Sequence, residues 1–265
     1  MTHALRLRIR CGLLICAGVL AAVLPASARI IRSRPSAASA SYEGAVPSVW
    51  APLYAFVLGG GFEYERSREQ TEYGFPFLLE YNVTEKVKLT LEPKYTSLAA
   101  RSRDARSVKG FGDLETSLAY EFLRERRYRP ALSVEGRIKW PTASDPDLGE
   151  RRRDYTLGLI ASKDLVFVDV DLNVLYTFVG EREREDTIEV SLAAEWHVNR
   201  DVDVIAEVAQ VTRLGGRDGE RGESEATVGL AWHVNKFLKL EQGVVFKERG
   251  IWEAVFAWEW RIGGD

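Results

Sequence analysis

Cysteine is almost absent from this 265-residue chain: its two cysteines, Cys11 and Cys16, both lie within the first 28 residues. The rest of the chain therefore cannot form a disulfide bond or a cysteine-ligated metal site. The sequence also has no Walker A loop, dinucleotide fingerprint, zinc motif or Gly-x-Ser-x-Gly elbow. It predicts no catalytic residue, no metal site and no cofactor.

Long apolar runs are also missing after residue 28, where none approaches the ~18 residues that a membrane-spanning helix needs. Any insertion into a bilayer would therefore use strands, which must close into a barrel because lipid offers no hydrogen-bond partners. The formal net charge is −3, with no stripe of basic residues. This charge pattern argues against nucleic acid as a partner.

The first 28 residues have the three parts of a secretory signal peptide. Arg6, Arg8 and Arg10 form a basic start, Cys11–Leu24 is apolar, and residues 26–28 read Ala-Ser-Ala, a small-residue cleavage site. Removing residues 1–28 takes away three arginines and no acid, so the formal charge moves from −3 to −6. The sequence predicts an exported protein.

Three regions follow from this pattern. Residues 1–28 are the predicted signal peptide, residues 29–52 a flexible segment rich in Ser, Ala and Pro, and residues 53–265 the folded domain. A lipoprotein is the alternative for the N-terminus, because Cys16 follows apolar residues. The bulky Ile15 directly before it disfavours lipidation.

From Tyr54 onward, apolar and polar side chains alternate. The stretch Gly110–Pro141 shows this most clearly, since two runs of about ten residues flank a charged turn. Leu114, Leu118 and Phe122 share one side of the first run, and acidic residues share the other. A period of two is strand geometry, and ~10 residues suffice for a tilted strand to cross a bilayer.

The same pattern recurs along the chain and predicts an all-β fold, a transmembrane antiparallel β-barrel of about twelve strands. Short and long connections alternate, as they do between the periplasmic and outer ends of bacterial barrels. The alternative is a soluble β-sandwich with its tryptophans in the core. The other predicted strands are Tyr54–Arg66, Thr71–Tyr81, Lys86–Ser97, Asp154–Ser162, Leu165–Val179, Glu185–His197, Asp201–Arg213, Glu223–Val234, Phe237–Glu248 and Ile251–Ile262.

The inward phase of these strands is charged, and its acids outnumber its bases by about two to one, which a water-filled lumen accepts. The candidate lumen-lining residues are Glu92, Asp113, Glu115, Glu135, Arg137, Lys139, Asp169, Asp171, Glu189, Glu207 and Glu241. Aromatic residues near the strand ends predict two girdles at the membrane interfaces. The candidate girdle residues are Tyr81, Trp140, Tyr155, Trp196, Trp232, Trp252 and Trp260.

Several short motifs resemble a known family. They are Lys109-Gly110-Phe111-Gly112-Asp113-Leu114, Tyr120-Glu121-Phe122, Pro130, and Lys139-Trp140-Pro141-Thr142. In these motifs the chain resembles the outer-membrane proteins named for the MetA pathway of phenol degradation. The resemblance implies an outer-membrane barrel that acts as a channel or transporter for small hydrophobic or aromatic solutes. It carries over no binding residue.

Two histidines, His197 and His233, each follow a girdle tryptophan in the inward phase. One interpretation makes them a metal or acid–base pair, and the other makes them polar residues at hairpin ends.

For the whole protein, three functions stay open: a porin-like channel, a structural barrel whose lumen is filled by charge, and an outer-membrane enzyme. The enzyme is the least favoured, so we expect a protein without catalytic activity.

The partners that this interpretation predicts are outer-membrane lipid, the barrel-insertion machinery and an unidentified small solute. The predicted location is the outer membrane of a Gram-negative-type envelope.

The signal peptide is tested by the start of the mature chain. Cleavage after Ala28 gives a protein that begins at Arg29, because the small residues at 26–28 fit the peptidase site. N-terminal sequencing and intact mass of protein extracted from the outer membrane measure this start. A chain that retains Met1 in that fraction would refute it.

Overall fold

The computed structural model describes residues 56–67, 70–100, 107–180, 184–214 and 222–262. Within these ranges the chain forms one antiparallel sheet of fourteen strand segments and one short 3₁₀-helix, Glu248–Gly250. The described part of the chain contains no helix long and apolar enough to cross a membrane. The predicted signal peptide, its cleavage site and residues 29–52 lie outside the described residues.

The strand segments are numbered in chain order. They are β1 (Phe56–Arg66), β2 (Gln70–Thr84), β3 (Val87–Glu92), β4 (Lys94–Ala100), β5 (Val108–Phe111), β6 (Leu114–Leu123), β7 (Ala131–Trp140), β8 (Asp154–Asp164), β9 (Val168–Phe178), β10 (Thr187–His197), β11 (Val202–Arg213), β12 (Glu223–His233), β13 (Leu238–Lys247) and β14 (Trp252–Ile262).

The sheet closes on itself through β1, which pairs with β2 on one side and with β14 on the other. Pairing with β14 is continuous from Phe56 opposite Ile262 to Arg66 opposite Trp252. The segments β3 and β4 together make one wall strand, and β5 and β6 make the next, so the wall has twelve strands in the described residues. The predicted twelve-stranded antiparallel barrel is confirmed.

Two wall strands differ from their predicted form because each is interrupted. The strand expected over Lys86–Ser97 is divided at Pro93, which has no backbone N–H to give to a sheet. The Pro93 carbonyl still accepts a bond from the Phe77 N–H at 2.9 Å. The neighbouring wall strand is divided at Gly112 and Asp113, where the Gly112 N–H donates to the Lys94 carbonyl at 2.9 Å. These bonds keep the wall connected across both breaks.

A third difference concerns the strand expected to begin at Leu165, which begins at Val168. Leu165 and Val168 close a tight turn, because the Leu165 N–H donates to the Val168 carbonyl at 2.8 Å. Val166 in this turn has a φ of 75°, a conformation that a β-branched residue rarely adopts. The Asp164 carboxylate accepts the Val166 N–H at 2.7 Å and helps to hold it. Alternation alone could not reveal that these apolar residues form a turn.

The barrel is inverted relative to a soluble protein, since apolar side chains cover its outside and charged ones fill its inside. Leu118, Leu157 and Val228 on the outside are each more than half exposed. Glu135, Asp169 and Glu259 on the inside are buried. A soluble sandwich would bury its apolar face, so this distribution excludes that alternative.

The barrel has two ends, which we name by their strand ends. The turn end is where β1 begins at Phe56 and β14 ends at Ile262, and the loop end is where β1 ends at Arg66 and β14 begins at Trp252. On the outer surface toward the loop end, ring contacts involve five strand segments. Tyr64 lies 5.6 Å from Trp252 and 5.5 Å from Tyr73, and the Tyr95 ring lies 5.4 Å from Phe111 (ring centroids). Such cross-strand pairs stabilise neighbouring strands by ~0.2–1 kcal/mol each.

The seven candidate girdle residues divide between these ends. Tyr81, Trp196, Trp232 and Trp260 lie near the turn end, while Trp140, Tyr155 and Trp252 lie near the loop end. Trp140 and Trp196 are half-buried and the other five are exposed.

The inversion predicts unequal losses of stability at two positions on neighbouring strands. Leu118 is 53 % exposed on the outside of β6, and Glu135 is 4 % exposed on the inside of β7. In lipid, Leu118→Arg should lower the free energy of unfolding by ~2–4 kcal/mol near the bilayer midplane. Glu135→Gln should cost less, because it keeps a polar side chain inside the lumen and leaves Arg137 its contact with Glu115 at 3.5 Å. Denaturant titration of the barrel in lipid vesicles measures both.

Leu118→Ala is the control, because it removes the same packing without adding charge. If Leu118→Arg were no worse than Glu135→Gln, the assignment of outside and inside would be wrong.

Candidate functional site: the charged lumen

All eleven candidate lumen-lining residues lie on the inside of the barrel wall. Five are buried: Asp113, Glu135, Asp169, Glu207 and Glu241. Six are half-buried: Glu92, Glu115, Arg137, Lys139, Asp171 and Glu189. The alternation of each strand places them there, because successive side chains point to opposite faces of the wall.

Arg137 is the centre of one group of charges on β6 and β7. It lies 3.5 Å from Glu115 and 3.6 Å from Glu135, and Lys139 lies 3.6 Å from the same Glu115. Glu115 therefore contacts two cations, and these contacts fix the position of its side chain on the wall. These three side chains are half-buried and Arg137 has two carboxylate partners, so losing one contact costs less than the ~3–5 kcal/mol typical of a fully buried ion pair.

Further ion pairs continue around the wall. Lys88 contacts Glu80 at 2.8 Å, joining β3 to β2. Lys94 contacts Glu63 at 2.7 Å, joining β4 to β1 across β2. Lys247 contacts Glu65 at 2.7 Å and Glu253 at 2.8 Å, so one ammonium group links β13, β14 and β1. These side-chain ion pairs connect strands on the inside of the barrel, in addition to the backbone hydrogen bonds within the wall.

Two cavities lie between these charged groups toward the loop end. The first has a volume of about 410 Å³ and the second about 260 Å³. Glu115, Arg137 and Lys139 line both, so the two spaces meet at the same three side chains. In the first cavity seven acids face three bases: Glu63, Glu72, Glu92, Asp113, Glu115, Asp147 and Glu150 against Lys94, Arg137 and Lys139. In the second, five acids face four bases: Glu115, Asp154, Glu189, Glu223 and Glu225 against Arg137, Lys139, Arg184 and Arg213.

Residues 141–153 connect β7 to β8 at the loop end, and part of this connection, which we call the anchored loop, lines the first cavity. Asp113 holds it to the wall. One carboxylate oxygen accepts the Ala143 N–H at 2.9 Å, and the other accepts the Glu150 N–H at 2.5 Å. Asp113 is only 7 % exposed, so these bonds are shielded from water. The break between β5 and β6 places this carboxylate at the point where the loop crosses the wall.

Other bonds attach the same loop beside Asp113. The Leu114 N–H donates to the Thr142 hydroxyl at 2.9 Å, and the Ser144 N–H donates to the Phe111 carbonyl at 2.8 Å. Gly149 packs directly against Asp113, and a Cβ at this position would overlap the carboxylate. Glu150 forms an ion pair with Arg184. The loop is therefore fixed over the cavity at both of its ends.

The two histidines occupy the opposite, turn end of the lumen and share one carboxylate. Asp203 lies 2.8 Å from His197 Nδ1 and 2.6 Å from His233 Nε2. His197 Nε2 also lies 3.0 Å from Asp169, so both of its ring nitrogens face carboxylates. The histidines are thus joined to a buried polar cluster that spans β9 to β12.

At the turn end, an exposed contact links two hairpin turns. Arg124 lies 2.5 Å from Glu85, and its hydrogen bond and charge hold the pKa of the Glu85 carboxyl below its ordinary value. Because both side chains are exposed to water, the pair contributes little to stability.

Comparison with known families identifies the chain. Residues 53–249 match the family described as Putative MetA-pathway of phenol degradation. The chain belongs to this family. The match begins well before the first family motif, which starts at Lys109, and it covers every strand of the wall through β13. Comparison with curated proteins found no match.

Solved structures with the same fold are outer-membrane barrels. An outer membrane channel from Pseudomonas putida F1 aligns with a TM-score of 0.68 and 12 % identity, over 82 % of this chain and 99 % of that one. The NanC porin aligns at 0.61 and 8 % identity, over 78 % and 100 %. A KdgM porin in complex with disordered oligogalacturonate aligns at 0.55 and 10 % identity, over 77 % and 99 %. At these identities the likeness establishes the fold.

The anchored loop gives the family motifs of this chain a structural role. Gly110–Leu114 contains the acceptor Asp113, and Lys139–Thr142 leads directly into the loop that Asp113 holds. Trp140 is fixed by its own bond, because its indole N–H donates to the Thr116 hydroxyl at 3.0 Å. The two motifs lie far apart in sequence and meet at one anchor.

Several inward acids were not among the candidate residues, and Asp203 and Asp154 are two of them, although both have the inward phase. Asp203 binds both histidines, and the buried Asp154 accepts the Gly180 N–H at 2.8 Å. Each lies at the end of a strand, where a charged residue is easily assigned to the adjoining turn. Asp203 directly follows Val202 and Asp154 directly precedes Tyr155. Both neighbours have the outward phase, so alternation could have assigned the two acids to the inside.

The anchor predicts how the loop responds when Asp113 is changed. In Asp113→Asn one of two acceptors becomes an N–H donor facing another donor, which removes a charge-assisted bond of ~1.5–3 kcal/mol. The loop should open more often, and trypsin should cleave the folded barrel faster at Arg151, Arg152 and Arg153. The rate of this cleavage measures the opening.

Asp147→Asn is the matched control, since it makes the same change within the loop and leaves both Asp113 bonds in place. Equal cleavage rates in wild type and Asp113→Asn would show that the anchor does not hold the loop.

Proposed function

We propose that this protein is a narrow outer-membrane channel for small hydrophilic solutes, with a modest preference for cations. The observation that supports it is the pair of cavities inside a closed barrel, lined by charged side chains with acids in excess. Rings of acidic side chains lower the entry energy of cations and raise that of anions. Nearby bases such as Arg137 and Lys139 neutralise part of this field, so the preference is modest.

The proposal includes an orientation and a route to the membrane. The turn end faces the periplasm and the loop end faces outward, because bacterial barrels have short periplasmic turns. The chain is exported by a signal peptide cleaved after Ala28, and it enters the membrane through the barrel-insertion machinery. The girdle aromatics then lie at the two lipid interfaces.

A second candidate is a structural barrel without transport. The ion pairs across the lumen and the anchored loop over the first cavity favour it, since together they could fill the passage. An outer-membrane enzyme is the third candidate, and no catalytic arrangement of described side chains supports it. Lipase and protease assays on the purified protein test this third function.

The family description supports a solute class for the channel. Small aromatic compounds are a candidate because the family is named for phenol degradation. The charged lining favours those with a polar or ionised group over pure hydrocarbons. A solute-uptake comparison of wild-type and deletion strains, with small aromatic amines and acids offered in parallel, tests this class.

The cation preference is measured by the reversal potential in a planar bilayer under a KCl gradient. At low salt the potential should indicate cation selectivity, and at 1 M salt the effect should weaken because the screening length falls to ~3 Å. Glu115 and Lys139 form a matched pair, since they face each other at 3.6 Å and line both cavities. Glu115→Gln should reduce the preference for cations, and Lys139→Gln should increase it.

Anion preference at low salt would contradict the acidic lining as the selectivity element. The absence of conductance in wild type, with a folded barrel confirmed in the same bilayer lipid, would favour the structural candidate.

A further inference from the structure

Three side chains of metal-ligand type converge at the turn end of the lumen. Glu195 on β10, Asp203 on β11 and His233 on β12 each offer one ligand atom, and these atoms lie within 4.8 Å of one another. The three strands are neighbours in the wall, so the backbone ladder fixes the spacing of their side chains. Ligands carried on rigid strands are held more firmly than ligands on loops.

We propose that Glu195, Asp203 and His233 bind a divalent transition-metal ion of the Zn²⁺ class. Two carboxylates and one imidazole are a ligand set that such ions accept, with water completing the coordination. The His233 Nε2 atom already faces Asp203 at 2.6 Å. A metal ion between these two atoms replaces this hydrogen bond with two coordinate bonds.

The neighbours of the cluster support its ligands from behind. The second oxygen of Asp203 lies 2.8 Å from His197 Nδ1, and His197 Nε2 lies 3.0 Å from Asp169. Metal-binding carboxylates and histidines are commonly oriented by such outer partners. In this arrangement His197 orients Asp203, while His233 provides the imidazole ligand.

Charge at this end of the lumen also favours a cation. Besides the two ligand carboxylates, Asp169, Glu241 and Glu259 are buried nearby. The fixed cations among them are Lys239, which contacts Glu241, and Arg261, which contacts Glu259. Five carboxylates therefore face two fixed cations, and an excess of buried charge of one sign is costly. A divalent ion offsets part of this excess.

Lys239 is the group that a metal ion must displace. Its ammonium lies 3.1 Å from Glu195 and 2.9 Å from Glu241. When a metal ion takes Glu195, Lys239 keeps its shorter contact with Glu241. The ammonium also shows that this position attracts positive charge in the folded barrel.

Metal binding is tested on the purified, folded barrel after treatment with EDTA, by titrating Zn²⁺ in competition with a chromophoric chelator. Wild type should bind about one ion per chain, and His233→Gln or Glu195→Gln should weaken binding by about tenfold or more. Glu189→Gln is the matched control, because Glu189 lies inward on the same strand as Glu195 but toward the loop end. It should bind Zn²⁺ as wild type does.

Far-UV circular dichroism confirms that each variant is folded before its titration is compared. Absence of stoichiometric Zn²⁺ binding by wild type overturns the proposal. Binding by His233→Gln and Glu195→Gln that is as tight as in wild type also overturns it. A loss of Zn²⁺ affinity in Glu189→Gln as large as in the two ligand variants overturns it as well. Such a loss would indicate that Zn²⁺ is attracted by the charge of the whole lumen and has no defined site. The readout is metal on the protein, so it is independent of whether the lumen conducts.

Discussion

The structure depends on the pairing of β1 with β14. In lipid no water is present to satisfy an exposed N–H or carbonyl group, and each such group left unpaired costs several kcal/mol. The uninterrupted register from Phe56 opposite Ile262 to Arg66 opposite Trp252 removes the two free edges that the sheet would otherwise have. Closure then gives each strand one face toward lipid and one toward the lumen, and the alternation of the sequence follows from this division.

Closure also explains the charge network. A barrel wall of twelve strands leaves an interior that side chains must fill or that water must enter, and here many of the inward side chains are acids and bases. They are tolerated because they pair across strands, as Lys247 does with Glu65 and Glu253. The same interior contains two unlike regions. Toward the loop end are the cavities under the anchored loop, and toward the turn end is the compact cluster around Asp203.

The fold could be predicted because a membrane wall imposes its period on every strand. Leu118 and Glu135 could be assigned to opposite faces from phase alone, and their exposures differ as that phase requires. The breaks at Pro93 and at Gly112 and Asp113 could not be placed in the same way, since they depend on which backbone groups find partners in a neighbouring strand. The turn at Val166 was missed because its residues are as apolar as a strand.

The site was only partly predictable for a related reason. Phase identifies which side chains point inward, but it does not specify their partners, which belong to strands distant in sequence. Glu150 and Asp113, for example, are 37 residues apart and meet only in the folded barrel. The role of Asp203 likewise depends on two histidines from the strands on either side of it.

The central claim is that one face of each strand meets lipid and the other meets an aqueous, charged lumen. The mature chain is predicted to lack cysteine, so single cysteines can be introduced along β10 and spin-labelled in lipid vesicles. Power-saturation EPR should find high access to oxygen at Val190 and Leu192, which are exposed on the outside, and low access to oxygen at Glu189 and Ala193. Uniform oxygen access along the strand, or the reverse alternation, would contradict the account.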